Sequence, residues 1–272
     1  MDNPAKKSNC RFCWWIAPIF CLFQACAGGG PVTSVEPANT DTLQYRLLEV
    51  VRTSPGCATA DSSDCTRAAA QYLEFTGGGA EPVLKQLNQT LVDSLCQGYT
   101  SIEKMLEQFV EDYENAKSEE TTGMPWEGAW FQYVVSQYAH VVCVGDNQYS
   151  FTGGAHGNYA TTFRNYDRRS GQIIKAGDLL TGGLSPELTA MAEPLFRNTY
   201  QIPDSSTYDA AGYWLENEQF YLTENFAVTA EGLLFLYNPY EIAPYAMGPQ
   251  ELLLPYTLMA HLIKPEGPLT VK

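Results

Sequence analysis

Basic residues are scarce in this chain. Sixteen Lys and Arg stand against 31 Asp and Glu, a formal net charge of -15 over 272 residues. Lys6, Lys7 and Arg11 against Asp2 give the first 25 residues +2, so the remainder carries -17. Such a surface repels phosphate backbones, which argues against nucleic-acid binding, and it steers basic partners inward. Histidine is scarcer still, at three residues. None stands at ligand spacing to a cysteine, so no metal site is expected. No G-x-S-x-G elbow, H-E-x-x-H helix, phosphate loop or dinucleotide fingerprint occurs, so no cofactor is expected and no catalytic machinery shows. No apolar run is long enough to span a bilayer: the longest, Phe12 to Phe23, has 12 residues and contains Pro18. No internal repeat is found.

That short run belongs to a targeting segment. It follows the positive Lys6, Lys7 and Arg11, and leads into Leu22-Phe-Gln-Ala-Cys26-Ala-Gly-Gly-Gly30. This resembles a bacterial lipobox, with Cys26 as the lipidated first residue of the mature chain. Phe23 and Gln24 depart from its usual small or aliphatic residues. Cleavage after Ala27 is the competing reading. Either way the chain is expected to be exported to the cell envelope, facing periplasm or exterior, and under the first reading the lipid holds it to a membrane. Residues 1–25 are then a signal peptide and 26–41 a Gly-, Pro- and Ser/Thr-rich linker.

Cysteine usage agrees with export. Cys10 and Cys13 fall in the removed segment. Of the rest, Cys57 and Cys65 flank a polar loop between two strand-like runs and are expected to pair across a hairpin tip. Cys96 and Cys143 either pair or sit buried and free.

The body reads as strands, helices, strands, helix, strands: an α+β pattern with a mixed, mainly antiparallel sheet. Thr42–Thr53 and Thr66–Thr76 read as paired strands. Val83, Leu84, Leu87, Leu91 and Leu95 recur at helical spacing, with Gly98 as C-cap candidate. Thr100 to Glu103 reads as a capping box opening a second helix. Trp126–Tyr138 and His140–Phe151 read as long strands, with His140 structural. Ser185 and Pro186 mark a helix start, and Pro194 is expected to kink or shorten that helix. Phe220–Val228, Leu233–Tyr237 and Glu251–Leu254 read as strands, and Tyr256–Ile263 as helical. The division expected is 42–125 as a hairpin-and-helix part and 126–265 as a C-terminal domain.

Candidate function gathers at Tyr149 to Leu180. Here a glycine-rich loop, Gly153-Gly154-Ala155-His156-Gly157, joins two strands, and Asp167 to Gly171 forms the next turn. His156 is a candidate for binding or proton transfer; its plain reading is an imidazole that fixes the loop. Near the C-terminus, Tyr237, Tyr240 and Tyr245 are candidates to stack on sugar rings, with Glu241 accepting hydroxyl hydrogen bonds. The plain reading packs those tyrosines at a sheet edge.

Two sets of residues carry a family resemblance. The first is Tyr149, Gly153-Gly154-Ala155-His156, Asp167, Gly171 and Asp178-Leu179-Leu180. The second is Phe226, Glu231-Gly232-Leu233, Phe235, Tyr237-Asn-Pro239-Tyr240-Glu241-Ile242-Ala243-Pro244-Tyr245, Gly248 and Pro255-Tyr256. Together they resemble a domain-of-unknown-function family found in RsiV-type anti-sigma factors and PdaC-type peptidoglycan deacetylases. The resemblance implies an extracytoplasmic α+β domain. In the anti-sigma factors it senses lysozyme; in the deacetylases it accompanies a separate catalytic domain. Neither a sigma-binding segment nor paired metal-binding histidines are read here. The expectation is therefore a non-enzymatic envelope protein binding a cell-wall glycan or a lysozyme-like muramidase. The alternative is a hydrolase pairing His156 with Asp167 or Glu241.

Overall fold

The computed structural model describes residues 42–57, 65–119 and 123–269. The signal peptide, Cys26, the linker and the loop inside the Cys57–Cys65 ring lie outside them. The described part is α+β, with a six-stranded sheet in sequential order, β1 to β6, and a three-stranded sheet, β7 to β9.

β1 (Gln44–Thr53) and β2 (Arg67–Gly77) form the expected hairpin, closed at its tip by the Cys57–Cys65 disulfide. β2 then runs parallel to β3 (Glu127–Tyr138), the one parallel pairing in either sheet. A parallel pair needs a crossover, and two helices provide it: α1 (Glu81–Cys96) and α2 (Ile102–Ser118). The leucines read from spacing face inward, with Leu87 and Leu91 fully buried against Leu73, Phe75, Val142 and Val144. Two caps shift by one residue from the sequence reading. The left-handed position ending α1 falls on Gln97, before Gly98. The N-cap of α2 is Ser101, not Thr100, and its hydroxyl accepts from Lys104 N–H.

β4 (Val141–Phe151) and β5 (Asn158–Asp167) continue the sheet antiparallel, and β6 (Ile173–Ile174) ends it. His140 sits in the β3–β4 turn; its N–H donates to Pro268 O and its carbonyl accepts from Arg168 N–H, a structural place. Then follow α3 (Ala176–Leu179) and α4 (Pro186–Thr199), which starts on the Ser185 cap as expected. Pro194 does not shorten α4. The carbonyl its missing N–H leaves free belongs to Ala190, which is exposed to water, as is Pro194 itself.

The strand expected over 220–228 is confined to β7 (Phe226–Val228). It pairs with β8 (Gly232–Tyr237), and β8 with β9 (Gln250–Pro255); α5 (Tyr256–Met259) follows. One large core wraps the second sheet, with Phe196, Tyr208, Phe235 and Tyr237 at its centre. Cys143, Phe163, Ala227 and Leu236 pack where the two sheets meet. Cys96 lies in a different cluster, with Ile102 and Leu106, so it and Cys143 are both buried and free.

Side-chain amides do the joinery between elements. Asn165 Nδ2 donates to Phe226 O while its Oδ1 accepts from Val228 N–H, both at 2.8 Å. Asn238 clasps Thr161 the same way, accepting from its N–H at 2.7 Å and donating to its carbonyl at 3.0 Å. Asn225 accepts from Phe163 N–H and donates to Thr161 O. Asn88 holds Phe75, and Gln137 holds Leu43, by the same pair of bonds. Each amide both donates to and accepts from the backbone, as a neighbouring strand would.

Candidate functional site

The loop between β4 and β5 needs its glycines for two different reasons. Gly153 and Gly154 have φ of +97° and +99° with open space where a side chain would stand, so conformation alone selects them. Gly157 is selected by space: a Cβ there would lie 2.4 Å from the Tyr149 ring. This close approach sets the loop down on Tyr149 and turns His156 outward.

His156 is exposed, with its ring stacked on Tyr245 at 4.0 Å between centroids and 18° between planes. Its Nδ1 lies 2.8 Å from Gly157 O. A carbonyl only accepts, so Nδ1 carries the proton in this contact and Nε2 is left as an acceptor in the neutral ring. Tyr245 OH donates to the same carbonyl at 2.9 Å. His156 therefore hydrogen-bonds within its own loop, as the plain reading of a loop-fixing imidazole expects. The exposed stacking face is additional.

Tyr245 is brought there by the segment after β8. Asn238 hangs that segment from β5, and Glu241 Oε2 accepts from Asn238 N–H at 2.9 Å to close its turn. The turn places Tyr240 at φ +68°, a left-handed conformation that aromatic residues rarely adopt, with Tyr240 N–H donating to Ala243 O. Tyr240 is 52% exposed. Its ring lies 5.6 Å from Tyr245 on one side and 6.4 Å from Trp214 on the other, at 34° and 20°. Trp214, 51% exposed, is held by its N–H donating to Ile242 O. Tyr159 meets Tyr245 edge-on at 5.6 Å. Three chain segments thus bring together four rings in succession, Trp214, Tyr240, Tyr245 and His156, with the outer pairs stacked and the middle pair tilted. Burial, with lesser contributions from neighbouring Glu127 and Tyr245, raises the Tyr149 phenol. Burial, then Tyr245, raises that of Tyr159, so both stay neutral hydrogen-bonding groups at physiological pH.

The other sequence candidates fall elsewhere. Asp167 ends β5 at the opposite end from His156, roughly 30 Å along a strand of ten residues. Its carboxylate is taken by Arg169, whose Nη2 lies 2.6 Å away. Burial pushes that carboxyl up, but the hydrogen bonds from Arg169 outweigh it and leave the pKa below the ordinary carboxylate value. Asp167 lines a separate open groove with Ile173, Asp178, Lys264 and Glu266. Tyr237 is fully buried, its OH donating to Tyr221 O, and takes no part in the row. Trp214 was missed: it lies in a loop, and nothing in its local pattern marks it. A wider signal was present, because residues 198–263 hold eight Asp or Glu and no Lys or Arg. Among the described residues no group of three His, Cys, Asp or Glu could hold a metal ion.

Comparison with known proteins finds matches over both motif-bearing regions. Residues 59–159, which contain the GGAH loop, match the model described as Deacetylase PdaC. Residues 177–257, which contain the PYEIAPY turn, match the model of a protein family of unknown function, DUF3298. The resemblance read from those two motifs therefore holds. No curated protein matches the chain. Among solved structures, it is similar to a DUF3298 family member from Bacteroides fragilis, at 23% identity and a TM-score of 0.69, over 84% of this chain and 96% of that one. It is also similar to a DUF3298 family protein from Pseudomonas aeruginosa, at 22% identity and a TM-score of 0.67, over 86% and 99%. At these identities the likeness establishes a shared fold.

Proposed function

We propose that this chain is an exported cell-envelope protein, anchored by a lipid on Cys26, whose domain binds cell-wall glycan without turning it over. The row of rings, exposed Trp214, Tyr240 and His156 with half-buried Tyr245 among them, carries the reading. Aromatic faces beside hydrogen-bonding groups suit the apolar faces and hydroxyls of pyranose rings. Tyr240 holds a costly backbone conformation while exposing its ring, which core packing does not account for. The match to a model named for a deacetylase, and the peptidoglycan setting of the PdaC-type proteins, fit a ligand drawn from the wall.

The hydrolase alternative has less support. Asp167 is at the far end of β5, and Glu241 is engaged with Asn238 N–H, so neither carboxylate is seen paired with His156. The muramidase reading has one observation of its own: three of the four rings, Trp214, Tyr240 and Tyr245, lie in a 66-residue stretch with no Lys or Arg, which suits a basic partner.

Calorimetric titration of the full chain with soluble glycan-strand fragments, and separately with lysozyme at low and high salt, distinguishes these readings. Saturable glycan binding without released product is expected, weakened about tenfold, or ~1.4 kcal/mol, by Trp214→Ala or Tyr240→Ala. Lysozyme binding that persists at high salt, with no glycan binding, would replace the ligand with a muramidase. Product release abolished by His156→Ala would restore the hydrolase.

A further inference from the structure

The six-stranded sheet treats its two sides differently. On the β6 side the edge is closed: β6 has two residues, and the flank of β5 beyond it is engaged by Asn225 and Asn238. On the other side β1 is a terminal strand of ten residues, with β2 as its sole strand partner among the described residues. Proteins blunt such edges with Lys, Pro, bulges or shortness. β1, QYRLLEVVRT, contains no Lys, Pro or Gly, and its single irregularity is at its start, between Gln44 and Tyr45. Its charges are engaged within the chain: Arg46 with Glu74, Glu49 with Arg67 and Arg52 with Glu107. Arg52 also donates to Val51 O. Tyr45 and Leu47 are 41% and 50% exposed on one face of the strand.

We infer that this edge pairs with the β1 edge of a second copy, antiparallel about a two-fold axis at Leu48, making one continuous sheet. The register follows from charge and parity. A two-fold normal to the sheet sets residues of equal parity opposite each other. Centred on Glu49, it would face Glu49 with itself and Arg46 with Arg52, like charges that repel. Centred on Leu47, it would leave Val51 to Thr53 without partners. Centred on Leu48, it aligns residues 44 to 52 with no like charges opposed. Tyr45 then meets Val51 of the second copy, an aromatic and β-branched pair that favours cross-strand contact, and Arg46 meets Val50. The pairing does not depend on what the ring row binds.

Sedimentation of the full chain in detergent over a range of concentrations tests this. A monomer–dimer equilibrium is expected. Tyr45→Lys and Leu47→Lys, both at exposed positions, should weaken it at least tenfold while leaving the circular dichroism spectrum unchanged. In a second measurement, Leu48→Cys should give a disulfide-linked dimer on oxidation, because the two Cβ atoms at the axis would lie about 5 Å apart. Arg46→Cys should not, its two copies being four residues out of register. A chain that stays monomeric at the highest concentration overturns the inference. So does a dimer that survives both lysines, or cross-linking at 46 equal to that at 48.

Discussion

At the residue scale, primary amides join segments far apart in the chain. Asn165 is 2% exposed and satisfies two buried backbone groups of β7 at once. Asn165→Ala leaves both without partners, and urea unfolding should show a loss of roughly 2–4 kcal/mol. Gln148→Ala is the control, removing an exposed bond to Gln97, and should cost under about 0.5 kcal/mol. The two free thiols make a second prediction. Burial pushes the Cys143 thiol up to about 12, and burial also raises that of Cys96. Neither should react with a thiol reagent at pH 8 in the native protein, and both should react once it is unfolded. The Asp167 carboxyl has the opposite sign. Its pKa is lowered in the fold, so its contribution is fully present above the ordinary value near 4. It is lost as pH falls through the depressed value. Asp167→Asn should therefore flatten acid unfolding below about pH 4.

At the element scale, what the sequence announces depends on how local the cause is. The β1–β2 hairpin, both crossover helices and α4 are legible because alternation, leucine spacing and the Ser185–Pro186 start are local signals. Reducing Cys57–Cys65, which closes a loop spanning eight positions, should lower stability by roughly 2–3 kcal/mol, read as a shift in the denaturant midpoint. Pro194 shows the limit of local reasoning. A proline inside a helix ordinarily breaks it, but here the freed carbonyl belongs to an exposed residue, Ala190. Pro194→Ala should stabilise by about 1–3 kcal/mol in the same assay. The strand expected from Phe220 was overextended for a related reason. Residues there are apolar because they fill the core around Phe196, without pairing in a ladder.

At the scale of the whole molecule, the candidate site was half legible. His156, Gly153, Gly154, Tyr240 and Tyr245 were found because two unusual motifs mark them. The roles of Trp214, Tyr159 and Gly157 are not legible, since they arise only when the rings of Tyr240, Tyr245 and Tyr149 are brought against them in the fold. Asp167 and Glu241 are candidates to pair with His156 because the same two motifs carry them, and the length of β5 separates Asp167 from it. The amides that hold these segments together have a chemical lifetime as well as a strength. Slow hydrolysis of an Asn side chain to a carboxylate replaces its donor with an acceptor, which would face a backbone carbonyl at Phe226 or Thr161. That reaction runs through attack by the following backbone nitrogen and is quickest when glycine comes next. Here Tyr166 follows Asn165, Phe226 follows Asn225, Pro239 follows Asn238 and Gln89 follows Asn88. The joints between the two sheets are thus placed where ageing is slow.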